Sequence, residues 1–198
     1  MGAQLGNFLP AMEPAAWLKA LDQDLRDAYW KQKDIARTLA LCQTVQDRAA
    51  ECQTEADLSA LKTLQFNVGS FLWPGWGSDG LEIPAEAHAL GRQGATANLE
   101  LAYRLAKPDL PRGRAHWLRG AWHLTDGEAT LAIEEFAQAE ALIRGAGEAD
   151  EAALMAAYVA LARDDGSLES ARAALAPLEH GADFQSQIDE AARSLGRG

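Results

Sequence analysis

Apolar residues recur at three- and four-residue spacing through most of the chain, and few stretches alternate apolar with polar. The first pattern lays an apolar stripe along an α-helix, whereas a half-buried strand needs the second. Trp17, Leu18, Leu21, Leu25, Ala28 and Tyr29 predict a helix from about Pro14 to Gln32, ended by a turn at Lys33-Asp34. Ile35, Leu39, Cys42 and Val45 predict a second, running to about Cys52. Thr54-Glu55-Ala56-Asp57 has the form of a capping box, with Asp in place of the commoner Glu. It opens a third helix that carries Leu58, Leu61, Leu64, Val68 and Phe71.

Glycine and proline then punctuate the chain. A Trp- and Gly-rich loop starts at Trp73, runs through Trp76 to Gly80 and extends to Pro84. A fourth helix is expected at about Ala85–Lys107, and Pro108 and Pro111 bracket the next turn. Five more follow at about Gly113–Thr125, Glu128–Arg144, Ala149–Arg163, Leu168–Leu178 and Asp183–Leu195. Turns at Asp126-Gly127, Gly145-Ala146-Gly147 and Asp165-Gly166 separate them. The expectation is an all-α, up-and-down helical array, a single domain over 1–198 with one inserted loop at 73–84.

The best-formed unit holds Trp117, Gly120, Ala121 and Leu124 on one helix and Ala132, Phe136 and Ala139 on the next. It resembles the tetratricopeptide pattern W-x2-L-G-x2-Y … A-x3-F … P, in which small residues let two helices cross closely. Phe66-Asn67-Val68-Gly69 is similar to the first helix of such a repeat. Tyr29 to Leu41, with Thr38 for the usual alanine, and Asp165-Gly166 with Ala171 and Leu175 resemble its inter-helix junction. The sequence departs from the family in three ways. Its spacing wanders from the usual ~34 residues, no proline closes the unit after Phe136, and the loop at 73–84 is an insertion. The second helix of the unit predicts Gly120 at the close crossing, while the apolar face of the first favours Ala121. Ala121 is preferred, with a turn one residue short. The resemblance implies an antiparallel helix-pair repeat array, a TPR-like α-solenoid, whose groove holds a protein or peptide, often by its acidic end.

Charge narrows the partners. The chain has 198 residues, 48% of them hydrophobic, enough for a sizeable core. Its formal net charge of -11 repels phosphate backbones and anionic lipid, so neither nucleic acid nor membrane is an expected partner. No apolar run is long enough to span a bilayer. The segment Met1–Gly6 lacks a basic stretch followed by an apolar one, and Gly6 stands where myristoylation requires Ser or Thr. A cytoplasmic location is expected. Cys42 and Cys52 would lie roughly 15 Å apart on one helix, beyond the ~7 Å that a disulfide tolerates. Both read as free thiols.

The candidate chemistry is sparse. His116 and His123 are seven residues apart, too far along a helix to share a metal, so no metal or cofactor is expected. Arg112, His116, Arg119 and His123 follow four-three-four spacing and stack along one helix face. Such a ridge on an acidic chain could clamp a partner's carboxylate, or it could be a solvated face paired with nearby glutamates. Trp73 and Trp76 could form an aromatic contact site, or could plug a gap between the third and fourth helices. Neither a nucleophile motif nor a phosphate-cradling loop is present, so catalysis is not expected. The first functional reading is a protein–protein interaction module or scaffold. The second is a small-molecule-responsive regulatory domain with a ligand near Trp73 and Trp76. The third is an enzyme built on His88, His116 or His123. The short tail after Ser194 gives little cover to the last helix and leaves a homodimer open.

Overall fold

Apolar stripes and turn residues define nine α-helices, and no strand, among the described residues of the computed structural model, which are 12–77 and 81–197. The readings made on Met1–Gly6 and on the end of the loop at 78–80 lie outside them. The helices are α1 (Pro14–Arg26), α2 (Ile35–Arg48), α3 (Glu55–Phe71), α4 (His88–Arg104), α5 (Asp109–Thr125), α6 (Ala129–Gly145), α7 (Ala149–Arg163), α8 (Leu168–Leu175) and α9 (Gly181–Ser194).

The ends of the helices show what the sequence pattern left coarse. The first helix widens into a π-helical turn over Asp27–Gln32. That turn lets the adjacent residues Tyr29 and Trp30 both reach Phe71, one stacked at 4.4 Å and the other edge-on at 5.8 Å. The second ends at Arg48, and a 3-10 turn, Ala49–Glu51, carries the chain to Cys52. Cys42 and Cys52 therefore do not share one continuous helix, although both are free and buried. Thr54 caps α3, its hydroxyl accepting from the Asp57 N–H at 3.1 Å. The reciprocal half of the box differs: the Asp57 carboxylate takes the Thr54 hydroxyl hydrogen at 2.6 Å. Asp is one methylene shorter than the Glu of a standard box. The fifth helix starts four residues earlier than expected, at Asp109, with Pro111 in its first turn. There the missing N–H of proline costs nothing, because first-turn donors have no partner within the helix.

Three successive helices end in the same way. Ala106, Gly127 and Gly147 adopt positive φ, at 47°, 76° and 90°. At each, paired N–H donors fold back onto the last turn: Gly127 to Leu124 O (3.2 Å) with Glu128 to His123 O (2.9 Å), and Gly147 to Arg144 O (3.0 Å) with Glu148 to Ile143 O (3.2 Å). Ala106 and Lys107 do the same with Tyr103 O and Ala102 O, both at 2.9 Å. This Schellman ending reverses the chain in two or three residues and makes each helix an antiparallel neighbour of the next.

Packing follows that order. The most extensive contacts join α5 to α6, α6 to α7 and α3 to α4, while α1 lies on α3. Two helix pairs approach at small residues. A Cβ on Gly94 would stand 2.8 Å from the backbone N of Gly69 and 3.0 Å from the carbonyl O of Gln65. At the α5–α6 crossing, a Cβ on Gly120 would stand 2.8 Å from the Phe136 ring. Gly120, not Ala121, is thus the residue at the close crossing. Ala121 is also buried, but its carbonyl turns toward the Trp73 indole.

Gly94 and Gly145 make opposite predictions. Alanine in a helix is favoured over glycine by ~1 kcal/mol, but overpacking a rigid contact costs ~1–3 kcal/mol. Gly94→Ala should therefore lower the unfolding free energy by about 1–2 kcal/mol in urea titrations. The nearest atom to a Cβ on Gly145 is Asp109 Oδ2 at 3.7 Å, so Gly145→Ala should raise it by up to ~1 kcal/mol. Stabilisation by both would show that the α3–α4 crossing is looser than described.

Candidate functional site

The four basic residues of the α5 ridge do share a face, but acidic groups meet each of them. Arg112 pairs with Asp109 one turn earlier, and its guanidinium lies over the Tyr103 ring, 5.5 Å from the centroid. His116 is buried at 9% exposure. Its Nδ1 is 2.6 Å from Glu135 Oε2 and its Nε2 is 2.8 Å from the Tyr103 hydroxyl. The other oxygen of Glu135 is 3.3 Å from Arg119 Nε. His123 Nδ1 is 2.6 Å from Glu128 Oε2, with its Nε2 facing Arg119 Nε at 3.4 Å. Glu128 stands at the N-cap of α6 and Glu135 lies two turns further on, so helix pairing delivers the counter-charges. The glutamates belong to the next helix and could not be assigned to the ridge from spacing on α5 alone.

Trp73 and Trp76 occupy the interior rather than the rim. Trp73 is 1% exposed, and its indole N–H is shared between Ala121 O (3.0 Å) and Thr125 Oγ1 (2.9 Å). Its ring meets those of Trp76 at 5.2 Å, Trp117 at 5.9 Å and Tyr158 at 6.3 Å. Trp76 is partly buried and donates to Ser70 O at 2.7 Å. Helix α9 lies across the Pro74–Trp76 turn. The loop plugs a gap, but one bounded by α5, α7 and α9 rather than by α3 and α4 alone.

Two concavities stand elsewhere. A polar cavity of about 360 Å³ between α4 and α5 is lined by Arg92, Thr96, Arg119, Trp122, His123 and Asp126 among others. Its basic groups meet acids, Arg92 pairing with Asp126 at 2.6 Å and His123 Nδ1 lying 2.6 Å from Glu128 Oε2. An apolar groove of about 290 Å³ between α1 and α3 is lined by Leu18, Ala60 and Leu64, with Lys19, Asp22 and Asp57 along it. Of the other histidines, His88 packs edge-on to Trp122 at 5.7 Å and His180 lies 6.1 Å from Phe184. Among the described residues no group of three His, Cys, Asp or Glu side chains is placed to hold a metal ion, and no helix is long and apolar enough to cross a membrane.

One positive cluster escapes this compensation, and the sequence reading missed it. The carbonyl of Lys62 on α3 accepts from Asn98 Nδ2 at 2.7 Å, but its ammonium has no ion pair or hydrogen bond among the described residues. Burial, and then the positive charges of Lys107 and Arg114, hold its ammonium below the usual lysine range. Lys107, at the α4–α5 turn, donates to Ser59 Oγ at 2.8 Å. Arg114 on α5 is bidentate to Glu151 of α7 at 2.8 and 2.7 Å. Two helices and a turn thus bring three cations together, and the acids near them, Glu151 and Glu148, act on Arg114. Each comes singly from a different part of the sequence, so no local motif announces the cluster. No family model, curated protein or solved structure matches the chain.

Conventional nucleophiles are withdrawn from solvent. Burial pushes the Cys42 thiol from 9.0 up to about 12. Burial, helped by the negative charges of Asp57 and Glu51, pushes Cys52 from 9.0 up to about 11. Neither thiol should react with an aromatic disulfide reagent below pH 9 until the protein is unfolded, when both should react. The folded state keeps protons that the unfolded chain sheds above pH 9. Stability from this source should be fully present below pH 9 and fall as pH rises toward 11 and 12, by at most ~1.4 kcal/mol per pH unit for each thiol. Thiol titration and urea unfolding at several alkaline pH values check both statements.

Proposed function

We propose that the protein is a helical-repeat interaction module of the tetratricopeptide-like type, which holds an acidic segment of a partner protein against Lys62, Lys107 and Arg114. The observation that carries the reading is Lys62, a half-buried cation without a carboxylate in a chain of net charge -11. Desolvating an ammonium beside two other cations is unfavourable, and an incoming carboxylate would relieve it. Ser59 Oγ adds a directional group to the cluster, and Arg114, already bidentate to Glu151, adds positive charge rather than a free donor. The Arg112–Arg119 ridge is a poorer grip, because a partner's carboxylate would have to displace Asp109 or Glu135.

The repeat aspect of the proposal draws on the recurrent turns at Ala106, Gly127 and Gly147 and on the Gly120–Phe136 crossing. These match the small-residue crossing and short antiparallel turn of tetratricopeptide units. A curved stack of such pairs presents an extended surface to a peptide. A small-molecule role is favoured by one feature, the polar cavity lined by Arg92, Arg119 and Asp126. A ligand carrying both charges would suit its paired groups.

A fluorescein-labelled Glu/Asp-rich peptide with a free carboxy terminus distinguishes the surfaces. Lys62→Glu/Lys107→Glu should weaken its binding at least ~10-fold, since each charge-assisted hydrogen bond contributes about 1.5–3 kcal/mol. Arg112→Ala/Arg119→Ala should leave it within about twofold, their charges being already engaged. Absence of binding, or equal loss in both variants, would contradict the proposal.

A further inference from the structure

Of the three tyrosines in the chain, Tyr29 and Tyr158 are buried, and Tyr103 is 47% exposed. The hydroxyl of that one exposed phenol is 2.8 Å from His116 Nε2. The opposite ring nitrogen is 2.6 Å from Glu135 Oε2, and the second oxygen of Glu135 is 3.3 Å from Arg119 Nε. Three helices contribute the three groups, Tyr103 from α4, His116 from α5 and Glu135 from α6. A hydroxyl within reach of a base, and a base oriented by a third group, is the arrangement that activates a nucleophile. It is recognised by geometry and not by position in the chain.

The tautomer follows from the partners. A carboxylate only accepts, so Nδ1 carries the hydrogen toward Glu135. Nε2 of the neutral ring is then left as the acceptor for the phenolic hydrogen. His116 side-chain exposure is 11% and that of Glu135 is 16%, so the ion pair created by proton transfer is screened little by solvent. The Arg112 guanidinium over the Tyr103 ring places a positive charge beside the phenolate as it forms.

We propose that Tyr103 is a nucleophile that accepts an acyl group from activated esters, with His116 as its general base and Glu135 orienting and charge-balancing the imidazole. The Tyr103 oxygen bonds to the carbonyl carbon of the ester while its proton passes to His116 Nε2. The tetrahedral adduct collapses, the bond to the leaving oxygen or sulfur breaks, and that group departs with the proton from Nε2. The product is an aryl ester on Tyr103. A phenolate leaves more readily than an aliphatic alkoxide, so water can attack this ester, pass its proton to Nε2 and release the carboxylic acid. The phenolate recovers the proton, and no other reactant is consumed. This chemistry is independent of partner binding at Lys62.

The test uses p-nitrophenyl acetate with the full chain near neutral pH. The expected result is a burst of about one equivalent of nitrophenol, and one acetyl group on the peptide that contains Tyr103. Tyr103→Phe keeps the ring under Arg112 and should abolish both. Glu135→Gln should slow the burst by ~10²-fold or more while leaving the label on Tyr103, which a purely structural carboxylate would not do. In urea-unfolded wild type, where the exposed thiols also react, the peptide that contains Tyr103 should be acetylated at the rate of a free tyrosine derivative. Circular dichroism confirms that each variant is folded. A burst that survives in folded Tyr103→Phe, a label on a lysine or on His116, or a wild-type rate no faster than free tyrosine would each overturn the proposal.

Discussion

The arrangement of the helices depends on the burial of a single side chain, Trp73. A tryptophan taken wholly out of water needs a partner for its N–H, and this one finds Ala121 O and Thr125 Oγ1 on α5. That bond ties the end of α3 to the last turn of α5. Around it, Trp76, Trp117, Tyr158 and Phe136 form one aromatic cluster with contacts of 5.1 to 6.3 Å between ring centres. The cluster draws on the loop, α5, α6 and α7, and α9 closes over the loop's short turn. Dispersion and apolar burial in such a cluster are shared by all its members, so loosening one exposes the rest.

Charge placement follows from the same pairing of helices. On α5, His116, Arg119 and His123 face Glu128 at the start of α6 and Glu135 two turns on, within hydrogen-bond reach. Among these pairs, Arg119 is 41% exposed, whereas its partner Glu135 is only 16% exposed. The less exposed His116, bonded on both nitrogens, fixes how α4, α5 and α6 meet. Against that compensated background the Lys62 cluster is the exception. The ridge on α5 takes part in helix packing, whereas Lys62, where α3 meets the α4–α5 turn, has no carboxylate among the described residues.

Much of the helical order was legible in the sequence because period and punctuation are local. Trp17 to Tyr29, Leu58 to Phe71 and the glycines at 127, 147 and 166 carry their own instructions. The π-helical turn at Asp27–Gln32 was not legible, since it depends on Phe71 in another helix. Nor was the start of α5, where Pro111 signals a break but is also tolerated in a first turn. The choice between Gly120 and Ala121 depended on Phe136 across the crossing, and apolarity on one helix pointed the wrong way. The candidate site was less legible still. His116 was visible as a basic residue, but Tyr103 and Glu135, which give it a chemical context, lie on flanking helices. Lys62 stood in no pattern at all.

The central claim, that Trp73 is a core element holding the array together, is tested most directly by urea unfolding of Trp73→Ala beside Trp30→Ala. Trp30 is 58% exposed and serves as the control. The account predicts a loss of about 3–5 kcal/mol for Trp73→Ala and under ~1 kcal/mol for Trp30→Ala. A Trp73→Ala protein as stable as wild type would contradict it, and would return the loop to the surface.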